Sequence, residues 1–296
     1  MPGLSTARLH GGAGEPTLAR TTGAPPLRVD LHIHTTCSDG SLAPPELPAA
    51  ARAGGLDVVA VTDHDTAAGV EPAQRAAAAA GGPLVVAGIE LTCSLDGEEV
   101  HLLGYGIAPG HAAVLAFAER GAALRRARLA AMVERLNALG VRIGVEDVRC
   151  QPGCASVGRP HLARALVARG AVPGFQEAFA RFLSDGGPAW VPSRGPDVAE
   201  GIAAVRAAGG LSVWAHPALP DGRNFGRLRD LGLDGVETLR PRLEPSESLA
   251  LEHAARDAGL LFAGGSDWHG APPPLGGWYV TERHVGKLLG RLRVSP

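Results

Sequence analysis

From residue 28 the chain alternates short β-prone runs with helix-forming runs, and this alternation constrains its fold more than any other feature. RVDLHIH reads as a strand, PELPAAARAGG as a helix stopped by glycines, and DVVAVTD as the next strand. Thr66 is placed to cap a second helix through the alanine-rich 67–80 region, and PLVVAGIE follows as a third strand. EEVHLLGYGI looks like an added β element before a long helix near 111–139, which carries Leu129, Met132, Val133, Leu136 and Leu139 at helical spacing. Gly140 is placed to stop that helix. After about residue 192 the rhythm resumes: helices at 196–208, 224–231 and 245–258 lead to strands LSVWAH, DGVETL and LLFAGGSD. Strands separated by helices pair in parallel, and this many units predict a barrel rather than an open sheet. The stretch 108–191 breaks the pattern. It is helical, interrupted by Gly and Pro, and predicts an inserted helical subdomain over the mouth of a barrel formed by 28–107 and 192–296.

With 296 residues and 45% hydrophobic content, the chain can bury one large core or two modest ones. No apolar run is long enough for a bilayer, so no membrane contact is expected. Residues 1–27, rich in Gly, Thr and Pro, lack the apolar segment of a secretory signal and read as a disordered leader. Cytoplasmic location is the expectation. Four cysteines in a chain this long do not make a disulfide framework, and Cys150 with Cys154 is a weak zinc spacing without a second pair, so reduced thiols are expected. Positive charge is almost all Arg, and a net charge of −2 disfavours a long-duplex nucleic-acid binder while leaving Arg clusters free to hold phosphate.

Several of the runs end in residues suited to metals. DLHIHTTCSDG carries His32, His34 and Asp39; TDHDT carries His64; GIE ends in Glu90; EVH ends in His101; WAHP carries His216; GSDWHG carries Asp267 and His269. His32 and His34, two apart on a strand, share a face. His64, Glu90, His216, Asp267 and His269 fall at or just past strand C-termini, the rim where parallel α/β barrels gather their catalytic groups. Six imidazoles with three carboxylates are too many for one ion and suit two or three, with Glu90 placed to bridge. Nitrogen and oxygen donors without thiolate favour Mn²⁺, Zn²⁺ or Fe²⁺ over Ca²⁺. Paired ions roughly 3.5–4 Å apart generate hydroxide at neutral pH and stabilise an in-line displacement at phosphorus.

The first motif, TDHD and the terminal GSDWH together resemble the polymerase and histidinol phosphatase (PHP) superfamily of metal-dependent phosphoesterases. The EVH segment and VGRPHLARAL (157–166) are similar to its nucleotide branch, which holds AMP phosphatases, 3′,5′-nucleotide bisphosphate phosphatases and a 5′-to-3′ exoribonuclease. The resemblance covers roughly residues 28–280. It implies a distorted (β/α)7 barrel with an inserted helical subdomain. It also implies one metal on His32, His34, Glu90 and Asp267, a second on Asp39, His64 and His269, and a third on Glu90, His101 and His216. Mn²⁺ leads among the two or three divalent ions. Arg159 and His161 become candidate substrate-phosphate contacts, the alternative for Arg159 being a cap or salt bridge on its own helix. The expected substrates are AMP, 3′,5′-bisphosphate nucleotides or short oligonucleotide 5′ ends. Histidinol-phosphate hydrolysis and a non-catalytic metal-binding module are the alternatives.

Other residues are read more plainly. Asp63 and Asp65 flank His64 and can orient imidazoles, and Asp65 is the candidate proton donor to the leaving oxygen. Glu237 fits either the barrel mouth or a structural salt bridge. Arg125, Arg126 and Arg128 read as the solvated face of the long helix, with a nucleotide-contacting stripe as the alternative.

Overall fold

The computed structural model describes residues 25–294. The expected leader therefore lies outside the described residues over 1–24, whereas its last residue, Leu27, is buried in the barrel. Eight strands make one sheet: β1 (Arg28–Ile33), β2 (Val58–Val61), β3 (Leu84–Leu95), β4 (Glu98–Tyr105), β5 (Leu211–Trp214), β6 (Gly235–Leu239), β7 (Leu261–Gly264) and β8 (Val280–Thr281). Their order is β7-β6-β5-β4-β3-β2-β1-β8. β1–β3 and β5–β7 are parallel sets, and β4 runs antiparallel between them. The ring returns on itself where His34 N donates to Trp268 O at 3.0 Å and Trp268 N to His32 O at 3.2 Å. Seven strands thus form a nearly closed barrel, as expected. β8, a two-residue antiparallel addition outside β1, was not expected from the strand pattern.

Two local features shape this barrel. β3 turns into β4 through Asp96 and Gly97, with φ of 53° and 89°, the mirror-image turn whose twist matches paired strands. β1 carries an irregularity between Asp30 and Ile33, where three steps on β1 oppose two on β2. Val29 and Leu31 belong to the interior cluster, so strict alternation would turn His32 and His34 outward. The extra residue re-aims both histidines to the barrel mouth.

Helices cover the outside. α1 (Leu47–Ala53), α2 (Val70–Ala80), α3 (Ala112–Ala138), α4 (Arg159–Ala168) and α5 (Phe175–Ala178) come before β5, and α5 runs into a π-helical turn over Phe179–Leu183. α6 (Val198–Ala207), α7 (Phe225–Leu231), α8 (Pro245–Asp257) and α9 (Glu282–Arg291) complete the set. α2 begins at Val70, later than the Thr66 cap predicted, because Thr66 Oγ1 accepts from Ala68 N at 3.2 Å within the preceding turn. α3 serves two cores. Val114, Phe117 and Ala118 pack into the outer barrel cluster, while Leu129, Met132, Val133 and Leu136 pack with Leu162, Leu166 and Leu183 in a separate one. At about 1.5 Å per residue, its 27 residues carry the chain from the barrel wall out over the mouth. Among the described residues no strand lies between Tyr105 and Leu211, and no helix is long and apolar enough to cross a membrane.

Candidate metal centre

The nine residues singled out from scattered signatures come together at the barrel mouth, around Glu90. Glu90 is fully buried in β3, which pairs with His64 through an isolated bridge and carries Thr92 opposite His101 of β4. Its Oε2 lies 2.8 Å from His64 Nδ1, 3.2 Å from His34 Nε2 and 3.4 Å from His32 Nε2. Its Oε1 lies 2.9 Å from His101 Nδ1 and 3.2 Å from His216 Nε2. Asp267 Oδ1 stands 3.2 Å from His34 Nε2 and 3.4 Å from His32 Nε2. On the other flank His269 Nε2 is 3.2 Å from Asp39 Oδ1, with His64 Nε2 3.9 Å from Asp39 Oδ2.

Three sets of donor atoms are compact enough to share an ion: His34, Asp39, His64 and His269; His32, His34 and Glu90; and His64, Glu90 and His101. These differ in detail from the sets implied by family resemblance. His34 also reaches the Asp39 group, and His64 joins the third set alongside His101. The fit to metal is physical. His32 Nε2, His34 Nε2, Asp39 Oδ1, His64 Nδ1 and Glu90 Oε2 are all buried, and none makes a hydrogen bond. Five unsatisfied buried polar atoms converging on one place carry a large desolvation cost unless a cation completes them.

The backbone is bent to serve these groups. His216 and Asp267, each just beyond a strand end, have φ of 36° and 52°, a left-handed region that is costly for non-glycine residues and enriched at active sites. Gly40 and Gly265 have no room for a side chain: a Cβ would meet His34 O at 2.2 Å and His32 Cβ at 2.3 Å respectively.

A ring of partners fixes the imidazoles, and here Glu237 is settled. Its Oε1 faces His32 Nδ1 at 3.1 Å and its Oε2 accepts from His216 N at 2.7 Å, the carboxylate–histidine pairing that sets ring orientation in metal sites. Asp63 accepts from Thr35 N, Thr35 Oγ1 and Ser38 Oγ at 2.6–2.7 Å, anchoring the loop that presents Asp39. Glu99 lies 3.5 Å from His101 Nε2 and 3.2 Å from Arg128 Nη1.

Charge pairing sets the protonation of the cluster. Burial opposes charge on His34, yet the Asp267 and Glu90 carboxylates facing its Nε2 win and raise its pKa to about 10. Against the same burial, Glu90 and Glu99 raise His101 to about 9. Burial and the Arg125 charge take His64 the other way, to about 4. Burial would raise Asp39, but His269 and His64 hold it well below the usual carboxylate range.

Beside Asp39, His64, His101 and His269 opens a cavity of about 180 Å³ beneath the helical region. Arg125, Arg128 and Arg159 line it together with the apolar side chains of Leu129, Met132 and Phe179. Arg125 and Arg128 are therefore not on a solvated face; only Arg126 is. The signal lay in the spacing, since Arg125 shares the stripe of Leu129 and Met132. Arg125 Nε donates to Asp65 Oδ2 at 2.7 Å, and Nη2 to Thr92 Oγ1 at 2.7 Å.

The hydrogen bonds of Asp65 assign it a supporting part beside Arg125 rather than the proton-donor part expected. Its Oδ1 accepts from Thr92 N at 2.8 Å, and its Oδ2 from Thr92 Oγ1 and Arg125 Nε. All three are bonds that Asp65 accepts, so the carboxylate orients Thr92 and the Arg125 guanidinium. Arg159 lines the cavity and also bridges to Asp185, which lies beyond its own helix. His161 does not line it: its Nδ1 accepts from Gly158 N at 3.1 Å and its Nε2 faces Cys154 Sγ at 3.8 Å. The expectation of free thiols is corrected at Cys150 and Cys154, which the loop brings to a Cα separation of 5.8 Å and pairs in a disulfide; Cys37 and Cys93 are free and buried.

Comparison with known proteins agrees with this architecture. Residues 30–135 match the PHP domain. The chain is 32% identical over 248 residues to a 5′-3′ exoribonuclease of Haemophilus influenzae, covering 82% of this chain and 90% of that one. It is 36% identical over 256 residues to a 3′,5′-nucleoside bisphosphate phosphatase of Chromobacterium violaceum, covering 81% and 87%. Among solved structures, one assigned to the metal-dependent phosphoesterases from Bifidobacterium adolescentis superposes with a TM-score of 0.82 at 34% identity, over 90% of this chain and 97% of that one. The chain belongs to the PHP family of metal-dependent phosphoesterases, hydrolases of phosphoric esters.

Proposed function

We propose that the chain hydrolyses phosphate esters of nucleotides, namely AMP, 3′,5′-bisphosphate nucleotides or the 5′ ends of short oligonucleotides. Two or three divalent ions, Mn²⁺ first among them, would be held by His32, His34, Asp39, His64, Glu90, His101, His216, Asp267 and His269. The observation that carries the reading is five buried, unbonded donor atoms gathered at the barrel mouth, Glu90 Oε2 among them, next to a cavity lined by three guanidinium groups. Bound ions supply Lewis acidity at the non-bridging oxygens and an activated water at neutral pH.

The chain's own residues do the positioning. Glu237 holds His32 and the His216 backbone in place, and Asp63 fixes the loop of Asp39. Asp65 and Thr92 together take two edges of the Arg125 guanidinium. Its remaining nitrogen, Nη1, faces the cavity wall at Gly158, where a Cβ would sit 3.4 Å away. A fixed cation there needs no reorganisation to meet phosphate charge. Arg128 and Arg159 add charge for a second phosphate, and Phe179 with Met132 and Leu129 offers an apolar surface for a base.

The test is release of phosphate or nucleotide by metal-stripped protein reconstituted with Mn²⁺ or Zn²⁺. The substrates are AMP, 3′,5′-ADP, a short 5′-phosphorylated RNA and histidinol phosphate. Metal-dependent turnover of the nucleotides is expected. Turnover of histidinol phosphate alone, or of none while metal is bound, would overturn the reading.

A further inference from the structure

The helical region holds a cluster of reactive side chains that the phosphoester chemistry does not use. Cys150 and Cys154 pair across a turn in which Cys154 N donates to Gln151 O at 3.0 Å, with Gln151, Pro152 and Gly153 exposed at its tip. Beside the pair lies His161, 4% exposed, its Nε2 3.8 Å from Cys154 Sγ. Donor atoms of these three residues lie within 4.8 Å of one another, the make-up of a thiophilic metal site. The tautomer argues against a metal there. Gly158 N donates to His161 Nδ1 at 3.1 Å, so the ring keeps its proton on Nε2, the nitrogen that faces the sulfur. The Ser38 carbonyl is a second acceptor for that proton. An N–H directed at sulfur offers no lone pair to an ion; it stabilises a thiolate.

The pair also touches the loop that presents Asp39. Ala155 N donates to Cys37 O at 2.8 Å, and Arg164 Nη2 to Asp39 O at 2.9 Å. Cys154 Sγ lies 3.6 Å from Ser38 O and 3.5 Å from Ser156 O. A disulfide sulfur has no proton for either carbonyl, whereas a thiol has one. Reduction therefore adds a donor beside Ser38, the neighbour of a metal ligand. Val157, Gly158 and Arg159, next along the same segment, line the cavity beside that ligand.

We propose that Cys150 and Cys154 form a thiol–disulfide exchange site for dithiols, and that its state sets how firmly the Asp39 loop holds metal. The inference rests on the metal ligands assigned above and not on the identity of the phosphoester. One thiolate of a dithiol attacks Cys150 Sγ, and the bond between the two protein sulfurs breaks. Cys154 Sγ departs with the electron pair beside the His161 N–H and then takes a proton. The second thiol of the dithiol attacks the mixed disulfide, releasing Cys150 as a thiol and the reductant as a cyclic disulfide. Two electrons and two protons pass to the protein. Cys154 is the sulfur that departs because the better-stabilised thiolate leaves faster.

The experiment uses the full chain, reduced with dithiothreitol or oxidised with diamide and then desalted. Alkylation after unfolding should count four thiols in the reduced protein and two in the oxidised, those of Cys37 and Cys93. Mn²⁺ affinity, read by competition with a fluorescent chelator, should be about threefold or more tighter in the reduced form, the effect of one weak S–H···O contact. In Cys150→Ser, which keeps Cys154 and cannot form the pair, affinity should stay at the reduced value after either treatment. Four thiols after oxidation, equal or weaker Mn²⁺ binding by the reduced protein, or an oxidant effect that persists in Cys150→Ser would overturn the inference and leave the phosphoester reading standing. So would Zn²⁺ held by the reduced wild type in one equivalent more than by Cys150→Ser. Mn²⁺ binding in neither form would remove the inference together with the metal assignment.

Discussion

Two acidic side chains show how much hydrogen-bond counting decides about a residue. Asp65, beside a ligand histidine, looks from the sequence like a proton donor, yet every lone-pair direction it uses is taken by Thr92 and Arg125. Its work is to hold a cation. Asp65→Asn and Arg125→Ala are therefore expected each to lower kcat/KM by roughly 10- to 100-fold, the range for losing a charge-assisted contact. The double variant should be no worse than the poorer single one, because both break one unit. A pH–rate profile separates the roles, since Asp65→Asn should keep its basic limb and loss of that limb would restore the acid assignment. Glu237 is the converse case, a residue of ambiguous position that contacts both His32 and the His216 backbone. In Glu237→Gln an amide nitrogen meets one of those two N–H groups, so one bond is lost. Mn²⁺ affinity, read by competition with a fluorescent chelator, should weaken by roughly 10- to 100-fold; unchanged affinity would take Glu237 out of the site's support.

At the level of elements, α3 must pass close over Asp65, and Gly121 is what allows it. A Cβ there would meet Asp65 Oδ1 at 2.4 Å, whereas one at Gly286 of α9 would meet nothing within 4 Å. Helix propensity favours Ala over Gly by about 1 kcal/mol at either place. At Gly286 that gain stands alone, so Gly286→Ala should raise Tm by a few degrees. At Gly121 overpacking costs about 1–3 kcal/mol, so Gly121→Ala should show little or no gain in Tm and a fall in kcat/KM as Asp65 and Arg125 shift. Activity at wild-type level would show that α3 can move without cost. The sequence told much about such elements and little about their joints. Strands and helices beyond residue 28 were legible because periodicity is local, and the ligands were legible because they end strands. β4 read only as an added β element, although Asp96–Gly97 carries the signal of a tight hairpin. The β1 bulge and the barrel closure through Trp268 depend on contacts between distant segments, and no window of sequence contains them.

For the molecule as a whole, folding without metal leaves a cluster of imidazoles and carboxylates to compensate one another. His34 and His101, with pKa values of about 10 and about 9, then hold protons at pH 8 that an unfolded chain, near 6.5, would have released. A histidine raised in this way adds stability that is complete below about pH 6.5 and disappears as pH climbs through 9 and 10. Tm of the metal-free protein should therefore fall by roughly 5 °C or more between pH 7 and pH 10, taking His101 alone as setting the scale. Metal needs the same nitrogens deprotonated, so binding must expel these protons and tighten as pH rises toward 9. Titration calorimetry at pH 8 in two buffers of different ionisation heat counts the protons directly, and a release greater than one is expected. The metal-loaded protein should hold its Tm over pH 7–9, because its imidazoles no longer titrate there. A metal-free Tm that stays level to pH 10, or binding without proton release, would mean that the cluster balances its charge in another way and that the donors around Glu90 are not competing for a cation.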